Sequence, residues 1–211
     1  MFKRHVVASL TQHTSNARFT LRNLRNLCNR FALSLFLLLF AMGTPAWAAT
    51  LTVTNNADSG AGSLRAQITA AATGDTIVFA AALDGATISL TTFTNDLSVG
   101  STQFGPSAFF ITGSKSLIID ATANGLTKGV VIARSSVAGT ASFRLFDVGS
   151  GSSLTLRGLT LSKGAALGNE GLQGGAALGA GGAIFNQGTL ILQRCTLVNN
   201  VAAGGLGGAW S

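Results

Sequence analysis

Beyond residue 75 the chain alternates apolar and polar positions in short bursts. Thr76–Phe79, Ala86–Leu90, Ser116–Asp120, Gly129–Ile132, Phe143–Phe146, Ser153–Leu156 and Gly158–Leu161 each run for four or five residues, with turn residues between them. A period near two, broken by Gly, Ser, Asn or Asp, predicts short strands joined by tight turns. Ahead of them, Leu51–Thr54 reads as one more strand and Asn55–Gly62 as a turn-rich link. Ser63–Ala72 then reads as a helix, with Ser63 as N-cap and Gly74 as stop. Leu64, Ile68 and Ala71 fall on one face of it.

The bursts also repeat. Leu154, Leu156, Leu159 and Leu161 align with Leu190, Leu192, Cys195 and Leu197 at a constant offset of 36. Leu145–Asp147 precedes the first set as Ile184–Asn186 precedes the second. Gly181–Phe185 begins again at Gly207–Ser211, but after only 26 positions. The difference predicts an insertion within Lys163–Ala180. Three short strands with one elastic connection behave as a coil of a parallel β-helix. A single coil cannot bury its apolar side, whereas stacked coils bury a continuous column. A β-sandwich would not repeat one strand triplet across an elastic gap. The coil predicts Leu154, Leu156, Leu159 and Leu161 inward, and Arg144 and Arg157 outward. The helix at residues 63–72 would cover the open first coil. The chain stops five residues into a new repeat, which predicts a solenoid cut short at its C-terminus, because a finished one carries a cap.

Charge changes the picture only at the N-terminus. The chain has 14 basic and 7 acidic residues, a net charge of +7. Six of the basic residues (Lys3, Arg4, Arg18, Arg22, Arg25 and Arg30) precede residue 31, where no acidic residue occurs. Phe31–Met42 follows as an apolar run, then Gly43, Pro45 and Ala46-Trp47-Ala48. That order predicts a secretory signal with an extended basic region over residues 1–48, cleaved between Ala48 and Ala49. The run is too short for a bilayer span, which takes about 20 apolar residues. The remainder carries 8 basic and 7 acidic residues, so nucleic acid is not an expected partner. The expected organisation is therefore signal 1–48, N-terminal strand and capping helix 49–75, and β-helix coils 76–211.

Removing residues 1–48 also removes His5, His13 and Cys28. The remainder has no His, no Tyr and one Cys, Cys195. An internal disulfide, a His- or Cys-based zinc site and any Ser-His-Asp or Cys-His machinery are excluded by inventory. No cofactor is expected.

With these residues in view, the chain resembles a known group. Val53–Arg65 followed by Gly74–Phe79 resembles the opening of bacterial surface β-helix proteins, whose signature reads C-S-L-R-E-A-I and then G-D-T-I-x-F. The matching residues are Ser63, Leu64, Arg65, Gly74 and Asp75. Gly181–Asn186, Thr189–Leu192 and Cys195–Asn200 are similar to the repeat of polymorphic outer-membrane proteins and autotransporter passengers. The resemblance covers most of residues 50–211 and implies an all-β, pectin-lyase-like right-handed parallel β-helix, exported to the cell surface or beyond. It departs at Gly62, where the signature has Cys, and at Ala66, where it has Glu. Ala66 cannot close a capping box with Ser63, which predicts a weaker helix start.

Sugar chemistry on this fold needs clustered carboxylates, often with a basic residue as proton acceptor. The acids of the remainder are Asp58, Asp75, Asp84, Asp96, Asp120, Asp147 and Glu170, no two closer than nine positions. Asp120 and Asp147 each follow an apolar burst, so stacking could join them, with Arg144 as the neighbouring base. Each reads more simply as a turn residue bonded to backbone. Arg65 is expected across the helix cap on turn carbonyls, Asp75 at a strand entry, and Cys195 as a buried thiol. Asn199-Asn200 suggests a stacked asparagine position. The expectation is a non-catalytic exported segment of a cell-surface or secreted protein, adhesin-like or passenger-stalk-like. Its partners would be the secretion machinery and host or environmental surface glycans or proteins. The alternatives are a polysaccharide lyase or glycoside hydrolase using Asp120, Asp147 and Arg144, and a truncated gene remnant without its own function.

Overall fold

The chain's computed structural model describes residues 48–94, 106–168 and 179–205, all within Trp47–Ser211, the second of two units. The expected signal segment up to Trp47, Asp96, Glu170, most of the expected insertion and the restart at Gly207 lie outside the described residues. The elements are β1 (Thr50–Val53), α1 (Leu64–Ala70), β2 (Thr76–Phe79), a 3-10 turn (Ala81–Leu83), β3 (Thr87–Leu90) and β4 (Ser107–Ile111). They continue as β5 (Ser116–Asp120), β6 (Val130–Arg134), β7 (Arg144–Val148), β8 (Ser153–Arg157), β9 (Leu159–Ser162) and β10 (Ala165–Leu167). β11 (Ile184–Asn186), β12 (Thr189–Gln193), β13 (Thr196–Val198) and β14 (Val201–Ala203) follow.

Strands joined by so few residues cannot pair in parallel with each other, because a parallel crossover needs about a dozen residues. Each strand instead pairs with its counterpart from another pass of the chain. The sheets run β1-β2-β5-β8-β12, β4-β7-β11, β3-β6-β9-β13 and β10-β14. Every pairing between these strands is parallel. The chain visits the sheets in one order: β4-β5-β6, then β7-β8-β9, then β11-β12-β13. The protein is thus mostly β, with parallel strands in sheets and little helix, an arrangement compatible with a parallel β-solenoid and not with an antiparallel sandwich.

Register explains the core. Leu51, Ile77, Ile119, Leu156 and Leu192 stand one above another in the five-stranded sheet. Ile88, Ile132, Leu161 and Leu197 do the same in the four-stranded sheet. The expected inward residues Leu154, Leu156, Leu159 and Leu161 are buried. One expectation needs correction: a fourth short strand, β10 or β14, extends each of the last two passes, so the unit is not always three strands. Ala165↔Val201 and Leu167↔Ala203 preserve the offset of 36, which narrows the expected insertion within Lys163–Ala180 to the stretch after Leu167.

Helix α1 begins where its cap chemistry places it. Ser63 Oγ accepts from the Ala66 amide at 3.2 Å, and Leu64, Ile68 and Ala71 join Val53 and Ile77 in the core. The helix stops at Ala71, before the expected Gly74. The missing Glu at position 66 leaves no orphan donor: the Ser63 amide donates to the Gly60 carbonyl at 3.2 Å.

At the opposite end the same columns run out. Leu192 is 41% exposed and Leu197 47%, although their register partners Leu156 and Leu161 are fully buried. This contrast is testable. Leu156→Ala should cost about 3 kcal/mol, as for a buried leucine truncated in a packed core. Leu192→Ala should cost about 1 kcal/mol or less, because little of its surface is removed from water. Urea unfolding of the two variants checks this, and equal losses would mean that the β12 face is covered in solution.

Candidate functional site

The residues singled out for chemistry fall into three separate groups. The first centres on Arg65, on the first turn of α1. Its Nη2 meets Asp58 Oδ1 at 2.7 Å. It donates to the carbonyls of Asp58 (3.2 Å), Ala108 (2.6 Å) and Thr92 (2.9 Å). Its guanidinium lies 4.9 Å over the Phe109 ring. Asp58 Oδ2 in turn accepts the amides and hydroxyls of Thr91 and Thr92, at 2.8–3.0 Å. Burial alone would push the Asp58 carboxyl up. The Arg65, Thr91 and Thr92 hydrogen bonds outweigh it and hold the carboxyl at about 2, from an ordinary 3.8. This node ties the 55–62 turn, α1, the end of β3 and β4 together. Four of the five N–H donors of Arg65 are thereby engaged within the protein.

The second group is Arg144, Asp147 and Phe185. Arg144 was expected outward; it is fully buried. The period-two argument assumes solvent on one face of the strand, but all five residues of β7 are buried between β4 and β11. Phe185 on β11 covers the guanidinium at 4.9 Å. Residues three apart on a regular strand point to opposite faces, yet Arg144 Nη1 reaches Asp147 Oδ2 at 3.5 Å. The amides of Leu145 and Phe146 both donate to the Ala183 carbonyl, so β7 is irregular between the two charges. Burial lowers the Arg144 pKa from its ordinary value, with Asp147 opposing.

The third group is Asp120 and Arg157, neighbours in register on β5 and β8. Arg157 Nη1 approaches Asp120 Oδ2 at 3.3 Å, and Arg157 Nε donates to Gln193 Oε1 at 2.8 Å. Asp120 Oδ1 also accepts the Thr122 amide and hydroxyl. Burial opposes the charge on Asp120, but the Thr122 and Arg157 hydrogen bonds hold its pKa below the usual carboxylate value. Asp120 therefore lies on the five-stranded sheet and Asp147 on the three-stranded one, each with its own arginine. Arg157 is about one-third exposed, in line with the outward reading.

The remaining positions are structural in their contacts. Asp75 is buried and accepts the amides of Ala49 (2.7 Å) and Ala72 (2.8 Å), closing the turn at Gly74. Cys195 was expected to be buried but is only half-buried, because β13 lies at the uncovered end; its thiol donates to the Leu156 carbonyl. Asn200 bonds across to the preceding pass, accepting from the Gly164 amide and donating to the Leu161 carbonyl. It stands over Gly164, so among the described residues no second asparagine lies in register with it. Among the described residues no three His, Cys, Asp or Glu side chains gather as a metal site requires. None of their helices is long and apolar enough to cross a membrane. No protein-family model, curated protein or solved structure matches the chain.

What sequence reasoning missed is the burial of Arg144 and the reach of Asp58. Neither left a local signal, because each depends on which residues the stacking brings overhead.

Two measurements follow from these groups. Asp58 contributes stability that is present above its unfolded value near 3.8 and is lost as the folded group protonates toward pH 2. The contribution is about 1–2 kcal/mol. Asp58→Asn should therefore lower the unfolding midpoint at neutral pH, and the gap to the parent chain should narrow below about pH 4. A gap independent of pH would contradict the role of the charge. For the buried pair, Arg144→Met should cost about 3 kcal/mol by removing the cation that faces the buried Asp147 carboxylate. The double variant Arg144→Met/Asp147→Leu should cost less than the single one, and a double-mutant unfolding cycle reads the difference. Simple additivity would mean that the two charges do not depend on each other.

Proposed function

We propose that the chain is an exported, non-catalytic segment of a cell-surface or secreted protein, built as a right-handed parallel β-helix with α1 capping its first coil. One observation carries this reading. All five acidic side chains among the described residues (Asp58, Asp75, Asp84, Asp120 and Asp147) are engaged by backbone amides, hydroxyls or an arginine. A hydrolase or lyase needs a carboxylate or base free to meet substrate, and Arg144 has no accessible surface for that work. The recurring order of sheets supports the coil, and the packing of Leu64 and Ile68 of α1 with Val53 and Ile77 supports the cap. The resemblance of Val53–Phe79 to surface β-helix proteins supports export.

Processing would strengthen one contact. The Ala49 nitrogen already donates to Asp75 Oδ1 at 2.7 Å. Cleavage after Ala48 turns that amide into an ammonium group beside a buried carboxylate, a charge-assisted bond roughly twice as strong as a neutral one.

The test has two readouts. Mass spectrometry of the chain from culture supernatant and cell-envelope fractions should find a terminus at Ala49. Incubation of the purified chain with polygalacturonate, alginate and a sulfated glycan should release neither unsaturated uronides nor new reducing ends. Full-length chain confined to the cytoplasm would overturn export, and cleavage of any of these polymers would overturn the non-catalytic reading.

A further inference from the structure

The corner between the five-stranded and four-stranded sheets changes length from pass to pass. Nine residues, 121–129, join β5 to β6, whereas Gly158 alone joins β8 to β9, and Arg194 and Cys195 join β12 to β13. A one-residue corner between a long loop and a bulky side chain leaves a notch. The structure has a cavity of about 310 Å³ there, lined among others by Thr122, Thr127, Lys128, Gly129, Gly158 and Arg194.

The notch is kept open by backbone requirements. Gly158 has φ +63°, and a Cβ on it would stand 2.5 Å from Thr122 Cγ2. Gly129 has φ +68°, and a Cβ on it would run into the Gly158 carbonyl oxygen. Arg194, in register with Gly158, also takes a left-handed conformation, at φ 55°. Glycine would be easier there, so the site carries a cation where the backbone favours none.

The walls present a defined chemistry. Thr122 donates its hydroxyl to Asp120 at 2.6 Å, and Thr127 donates its hydroxyl to Asp84 at 2.9 Å. Both hydroxyl oxygens keep lone pairs for a ligand's O–H groups. Asp84 also accepts the amides of Thr127 (3.0 Å) and Lys128 (2.7 Å), which fixes the loop that carries Lys128. Asp120 is matched by Arg157, and the solvent-accessible Asp84 by the loop amides and by the charge of Lys128. Lys128 and Arg194 are exposed, and neither forms an ion pair within 4.0 Å among the described residues. Acceptor hydroxyls beside two cations suit a ligand that has both O–H donors and a negative group.

We propose that this notch binds one residue of an acidic glycan, with its carboxylate or sulfate between Lys128 and Arg194 and its hydroxyls on Thr122 and Thr127. The proposal rests on the reading above of an exported, non-catalytic chain, and it adds a surface and a sugar class. Among the described residues, the carboxylates next to the lining threonines, Asp84 and Asp120, are each held by backbone amides and hydroxyls.

Calorimetric titration of the full purified chain tests this with three probes: trigalacturonate, a sulfated trisaccharide and neutral maltotriose. Lys128→Met and Arg194→Gly are the variants, since glycine suits the left-handed position and leaves the fold intact. Either acidic probe should bind and maltotriose should not. Each variant should weaken binding about tenfold, and salt should weaken it in the parent chain. Which acidic probe binds identifies carboxylate or sulfate as the recognised group. Failure of both acidic probes, equal binding of maltotriose, or unchanged affinity in the Lys128→Met/Arg194→Gly double variant would overturn the site. Product analysis of the same mixtures keeps the two readings apart: binding with cleavage sinks the non-catalytic function and spares the notch, and no binding does the reverse.

Discussion

The rest of the structure depends on one constraint: parallel strands separated by short corners must find their backbone partners in another pass of the chain. Nothing within a pass can satisfy the amides and carbonyls of β8 or β9. They are met by β5 and β6 on one side and β12 and β13 on the other. An unpaired buried backbone group costs as much as a lost hydrogen bond, so each pass is stable only between neighbours. The same constraint aligns the side chains. Once Leu117 stands beside Leu154, Ile119 must stand beside Leu156, and a slip of one residue would turn every leucine outward.

The two ends of such a stack are therefore different problems from its middle. Near the first strand the Arg65–Asp58 node fixes the position of α1. A single carboxylate collects four bonds from Thr91 and Thr92 and a charged partner from α1. This locks the helix against β3 and β4 while its apolar face covers Val53 and Ile77. A seven-residue helix has little stability of its own, so the packing of Leu64 and Ile68 and the Arg65–Asp58 pair together hold it in place. At β12 and β13 no equivalent node exists among the described residues, and Leu192, Leu197 and Val201 carry the exposure.

The strands were legible in the sequence because their signal is local: period-two bursts bounded by glycine, and an offset of 36 that survives in the register of β8 with β12. The helix was legible through Ser63, a cap whose effect spans three residues. The burial of Arg144 was not legible. Its cause is Phe185, 41 positions away, which alternation within β7 cannot report. Half-burial of Cys195 was missed for a related reason. Its repeat position equals that of the buried Leu159, and only its place at the end of the stack distinguishes them. The candidate acids were readable as turn residues one by one, but the pairing of Asp120 with Arg157 required knowing that β5 and β8 are neighbours.

The corners are where one pass can differ from the next without disturbing either constraint. A strand cannot gain a residue without slipping its register, but the link between two sheets can. Nine residues at 121–129 and one at Gly158 join the same two sheets in consecutive passes, and the strands on both sides remain in register. Length added at a corner does not enter the core, so it projects, and a short corner beside it becomes a recess. The glycines at 129 and 158 are what make that contrast possible, because any side chain at either position would collide with the adjacent pass. Surface chemistry on this fold is thus written in the unequal corners, with the repeat serving as the ruler that spaces them. The residues to weigh for function are those, such as Lys128 and Arg194, that depart from the repeat at a corner, rather than those that keep it.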